Sequence, residues 1–200
     1  MTAASVTVPA GGVPAGSLVV VGIASQTAPE SFTVSDSAGN TYTLDNSRTS
    51  SSPYGYQFHS LTSAPLPQGA AISVKWGGAS IDAVIEATWF STGYATVTKD
   101  LAVSGHGSGT ALSTGNTKAT AHANELVVGM GGPRMPGTAT YHEDTADGYS
   151  QAVFTGDSKQ SNDLSYKVVS SAGVFDYKPT ISVSSSWVDL LTTYHGKLSS

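Results

Sequence analysis

The chain has 200 residues, a formal net charge of −5 and no cysteine, which excludes thiolate catalysis, cysteine-ligated zinc and disulfides. Nine Lys and Arg are scattered with no two adjacent, so the clustered cations that phosphate-backbone binding needs are missing and nucleic acid is not an expected partner. Hydrophobic residues make up 39% of the chain but charged residues only 12%, about half the ~25% usual for soluble domains. Ser, Thr, Gly and Asn take over the surface.

The opening "MTAASVTVPAGG" has neither the basic n-region nor the apolar h-region of a signal peptide. The expectation is a trimmed signal or a protein that leaves its host without one. "SLVVVGIAS" (17–25) is the first strand-like run and is far too short to span a bilayer, so no membrane partner is expected. Further runs bounded by Gly, Pro, Asn or Ser follow at 31–36, 41–45, 54–62, 70–76 and 81–90. A polar, Gly-rich stretch, "SGHGSGTALSTGN" (104–116), reads as a long connection. Strand-like runs resume at 125–131, 137–143, 149–156, 164–171, 180–187 and 188–196. No window keeps apolar residues at helical spacing over three turns, and Thr192 and Thr193 in the last run favour a strand. The fold class is all-β, an antiparallel, jelly-roll-like β-sandwich of two stacked layers.

A weak internal repeat accompanies this pattern. "AGSLVV" (15–20) recurs as "ANELVV" (123–128), and at the same offset of 108 residues "QFHSLTSA" (57–64) overlies "SYKVVSSA" (165–172). Near that offset "ISVKW" (72–76) meets "ISVSSSW" (181–187). An internal duplication and a chance alignment of β-rich sequence both fit. The expected organisation is one domain over 1–200, the alternative being two similar halves, 1–103 and 117–200.

"VSDSAGNTYTL" (34–44) places Asp36, Gly39 and Asn40 between two alternating runs. A calcium site needs several converging oxygens and this stretch has one Asp, whereas a tight turn uses every residue in it. It reads as a hairpin. Together, "GSLVVVGIAS", "VSDSAGNTYTL", "ATWFSTG" and "ANELVVG" resemble a β-sandwich module of bacteriophage virion proteins that is also found in secreted bacterial proteins. The resemblance implies the fold and a place on an extracellular particle or surface. Its motifs are structural, so it implies no catalytic residues; "FSTGY" after Trp89 is one residue longer than the module's usual form.

Candidate chemistry is sparse. Asp82 and Glu86 share a side of one strand, but four residues at ~3.3 Å separate them by ~13 Å, too far for a glycosidase pair, and both are expected on a solvated face. Glu143, Asp144 and Asp147 in "YHEDTADGY" form the densest acidic cluster and the candidate calcium site, with a plain solvated loop as the alternative. "GHGSG" (105–109) does not match the G-x-S-x-G elbow, and no H-x-x-x-H pair offers zinc ligands. Tyr54, Tyr56 and Phe58 share one strand face. Tyr54 and Tyr56 are the candidate glycan platform, against a packing role for the same row. Trp76, Trp89 and Trp187 read as core or interface anchors.

The expectation for function is a non-enzymatic bacteriophage virion protein, a capsid decoration (cement) or tail-surface protein. It would form homo-oligomers and contact capsid or tail proteins. The alternative is a carbohydrate-binding or adhesion module of a phage or secreted bacterial protein, recognising a surface glycan. A hydrolase would need two carboxylates, or a Ser–His pair, to converge across strands.

Overall fold

The computed structural model describes residues 2–28, 31–135, 139–157 and 159–198. The chain is an all-β antiparallel sandwich, and among the described residues a 3-10 turn at Thr145–Asp147 is the only helical segment. Its strands form three sheets rather than two layers. The first sheet orders β1 (Ala3–Thr7), β6 (Ala71–Trp76) and β3 (Phe32–Asp36). The middle sheet orders β4 (Thr43–Arg48), β5 (Tyr54–Leu61), β2 (Ser17–Ser25) and β7 (Ala83–Ser91). The third orders β10 (Tyr141–His142), β13 (Thr180–Leu198), β9 (Glu125–Pro133), β12 (Ser161–Val169) and β11 (Ser150–Gly156), and β8 (Tyr94–Ala111) pairs with β13 as well.

The middle sheet explains the departure from two layers. Side chains alternate along a strand, so a strand facing one core shows every second residue apolar. β2 is buried at all nine positions. Val19, Val21 and Ile23 join Tyr56, Phe58, Val34, Ile72, Val74 and Trp76 in a first core against the outer sheet. Leu18, Val20 and Ala24 turn the other way, into a second core with Val128, Met130, Leu164, Val188, Leu190 and Tyr194. The unbroken "LVVV" is the sequence signature of a strand covered on both faces.

The remaining face of the third sheet is covered by irregular chain. Backbone N–H groups of Leu112, Thr114, Thr117 and Thr120 donate to the carbonyls of Pro179, Tyr177, Phe175 and Gly173. In return the hydroxyls of Thr114, Thr117 and Thr120 accept from the N–H groups of Tyr177, Phe175 and Gly173 at 2.9–3.1 Å. These threonines let two non-alternating segments run side by side, with Tyr177 of one packed in a cluster with Val127, Tyr149 and Leu191.

The offset of 108 has a structural counterpart. β2 and β9 occupy matching central places. β5 matches β12, β4 matches β11, and β7 matches the second half of β13. The edge strands β4 and β11 even carry a bulge at the same place, between Leu44 and Asn46 and between Gln151 and Val153. β3 on β6 has its match in β10 on the first part of β13. Two similar sandwiches thus pack back to back through their larger sheets, and β8 is an extra strand on β13.

Two expected features differ. The stretch 104–116 is not a connection, because 104–111 completes the 18-residue β8. Gly105 and Gly107 serve packing there: a Cβ at Gly105 would strike the Ser113 carbonyl and one at Gly107 the Trp187 ring. The runs 180–187 and 188–196 form one strand, whose register slip between Thr180 and Ser185 absorbs the serine-rich middle. Part of the run expected at 137–143 lies outside the described residues.

Candidate functional site

The two acidic turns are the same device used twice. Asp36 and Asp144 lie 108 residues apart, in "DSAGNTY" and "DTADGY". Asp36 Oδ1 accepts from the N–H groups of Ala38 (2.9 Å) and Asn40 (3.1 Å), and Asp144 Oδ1 accepts from Asp147 N–H (3.3 Å). Each turn then uses a glycine at φ near +80°, Gly39 (80°) and Gly148 (83°), where a side chain would be strained. Burial pushes Asp36 up, but hydrogen bonds from Asn40, Tyr42 and Ala38 outweigh it and hold the carboxyl below its usual range. This pairing was missed in the sequence, although the D-[ST]-A spacing was there to be found.

The turn geometry also disposes of the acidic cluster's side chains. Asp144 is buried and its Oδ2 accepts from Lys178 N–H at 2.9 Å. Asp147 is exposed and sits 3.5 Å from Lys178 Nζ, and Glu143 is half-buried. Among the described residues no group of three His, Cys, Asp or Glu side chains is placed to hold a metal ion. Glu143, Asp144 and Asp147 are therefore not brought together as a ligand set.

Ionisable groups are instead spent inside. In the third sheet Asp163 of β12 and Asp189 of β13 both stand beside Gly131 of β9, in register on the same face. Tyr177 Oη donates to Asp163 Oδ2 at 2.5 Å, Ser165 Oγ at 2.8 Å, and Gln151 Nε2 donates to Oδ1 at 2.7 Å. Tyr141 closes the cover, its hydroxyl 3.0 Å from that of Tyr177 and directly over Gly131. Burial pushes Asp163 up to about 6 against these hydrogen bonds. Asp189 has no hydrogen-bond partner among the described residues, and burial, with Asp163 nearby, pushes it well above the carboxylate range. Both are fully buried.

Glu86 is a correction. It is buried between the middle and third sheets with Thr155 as its polar neighbour, and burial pushes it up to about 9. The solvated face expected for it does not exist, because both faces of the middle sheet are covered. Asp82, beyond the strand's end, is exposed and pairs with Lys159 at 3.3 Å.

Histidine chemistry is not assembled either. His59 Nδ1 donates to Asp45 at 2.7 and 2.9 Å, and Tyr194 Oη donates to the same carboxylate at 2.8 Å. Ser60 next to it projects to the opposite face by strand alternation. His106 meets Arg48, and His122 stacks on His195 with ring centres 3.7 Å apart. Among the described residues none of the five histidines is bonded to a serine hydroxyl.

The aromatic row of β5 faces inward. Tyr56 is buried in the first core, edge-on to Phe32 at 4.7 Å, and Tyr54 packs against the same core. Trp76 and Trp187 are buried too, whereas Trp89 is 38% exposed. Trp89 lines an open groove of about 640 Å³ with Phe90, Ser91, Thr92, Tyr94, Asn124, Glu125, Leu126 and Val168. Val168 is 73% exposed. This groove joins the end of β7 to the ends of β9 and β12, so no single run of sequence announces it. Comparison with protein-family models, curated proteins and solved structures found no match for the chain.

Proposed function

We propose that the protein is a non-enzymatic structural component of a bacteriophage virion, a capsid-decoration or tail-surface protein that acts through protein–protein contacts. One observation carries this reading: the carboxyls Glu86, Asp163 and Asp189 are enclosed in the packing, while two large apolar side chains left exposed, Trp89 and Val168, line one open groove. A charge-poor exterior with a localised apolar patch suits docking on a protein lattice more than catalysis. The D-S-x-G-N hairpin resemblance agrees with a particle surface. The test is cosedimentation of the purified chain with phage capsids and tails lacking it. Saturable binding, weakened by Val168→Asp, is expected; no association with either particle overturns the reading.

A second reading is a carbohydrate-binding module, favoured by the same groove, where Trp89 and Tyr94 stand beside Ser91, Thr92 and Asn124. Flat aromatic rings flanked by uncharged hydrogen-bonding groups suit a neutral glycan. Glycan binding lost in Tyr94→Ala would favour this reading over docking. Tyr54 and Tyr56 are not part of that groove.

A further inference from the structure

The sheet edges are unequally guarded. β4 and β11 are each broken by a bulge, β1 and β3 have five residues, and β8 carries Lys99 and Asp100 with slips in its register. Short strands, bulges and charges are the devices that stop an edge from pairing with another chain. β7 has none of them. It is the outer strand of the middle sheet, pairs with β2 over nine consecutive positions without a slip, and has no described strand on its other side. Its one charged residue, Glu86, is turned into the interior. In the matching half of the molecule the equivalent edge, that of β13, is covered by β8 of the same chain.

We propose that β7 is a homodimer seam, on which a second copy of this chain adds its own β7, antiparallel, about a two-fold axis through Ala87. The sequence is self-complementary about that residue. "VIEATWF" (84–90) sets Val84 opposite Phe90, Ile85 opposite Trp89, Glu86 opposite Thr88 and Ala87 opposite itself. Apolar thus meets apolar and polar meets polar at every position, with aromatic–aliphatic pairs of the kind that stabilise sheets. An uncharged edge offers nothing for an oppositely charged partner to read, and self-pairing brings no like charges together. The Trp89 ring, 38% exposed in one copy, packs on Ile85 of the other. Two four-stranded middle sheets become one continuous sheet, closed by symmetry. The seam depends on this edge alone and not on which particle or glycan the protein meets.

The absence of native cysteine makes the test clean. Directly opposed residues in an antiparallel pair have Cβ atoms ~4.5–5.5 Å apart, close enough for a disulfide after small adjustment. Ala87→Cys is therefore expected to form a covalent dimer under mild oxidation, while Ser91→Cys, which faces Ala83, stays uncrosslinked. Light scattering of the unmodified chain should give twice its 20.3 kDa mass. Trp89→Lys should weaken the dimer at least ~10-fold, about 1.4 kcal/mol, while keeping its β-type circular dichroism. A monomeric mass at all concentrations together with an uncrosslinked Ala87→Cys overturns the seam. So does crosslinking as efficient at Ser91 as at Ala87, or a Trp89→Lys dimer of undiminished strength.

Discussion

Glu86, Asp163, Asp189 and Glu125 share one circumstance: each carboxyl is buried, and burial raises its affinity for a proton. The folded chain therefore holds protons that the unfolded chain releases near pH 4. Their contribution to stability is complete below that pH and is lost as pH rises through the folded values, about 6 for Asp163, about 7 for Glu125 and about 9 for Glu86. Asp36 and Asp157, held below the usual range, act in the opposite sense and only under strong acid. Stability measured by urea unfolding should thus fall from pH 5 to pH 9. Glu86→Gln removes a large share of that fall and should stabilise the protein at pH 8 by on the order of 3 kcal/mol, with little effect at pH 5. Tyr177→Phe removes the 2.5 Å hydrogen bond to Asp163 and should cost about 1–3 kcal/mol by the same unfolding assay.

At the scale of elements, β8 shows how glycine can belong to a strand. Gly105→Ala would drive a methyl group into the Ser113 carbonyl, separating β8 from the covering segment. A loss of about 2 kcal/mol or more in thermal or urea unfolding is expected, against well under 1 kcal/mol if 104–116 were a free loop. The same stretch marks the limit of what sequence revealed. Alternation located β6 and the inward row Tyr54, Tyr56 and Phe58 of β5, because each sets a regular apolar face on the first core, and the unbroken apolar run located β2. It did not locate β8, whose glycines resemble a loop until Trp187 and Ser113 are packed against them. Nor did it place Glu86, since a strand's polar side looks solvated until a further sheet is known to cover it. The open groove was illegible for a related reason: Trp89, Leu126 and Val168 come from three distant strands.

For the whole molecule, the decisive feature is a middle sheet shared by two cores. Val20 and Val21 are adjacent in β2 and both fully buried, one facing each core. Val20→Ala and Val21→Ala should each cost about 2–3 kcal/mol in unfolding free energy, whereas in a two-layer sandwich one of them would be nearly neutral. The covering of both faces is also what encloses Glu86 and leaves the exterior to uncharged and apolar contacts. Residue-resolved hydrogen exchange under native conditions tests this arrangement most directly. Alternate amides along β2 are expected to exchange equally slowly, at the rate set by global unfolding and alongside those of β9 and β13. Fast exchange along β2 at a rate unrelated to global unfolding, with β9 and β13 still protected, would contradict it.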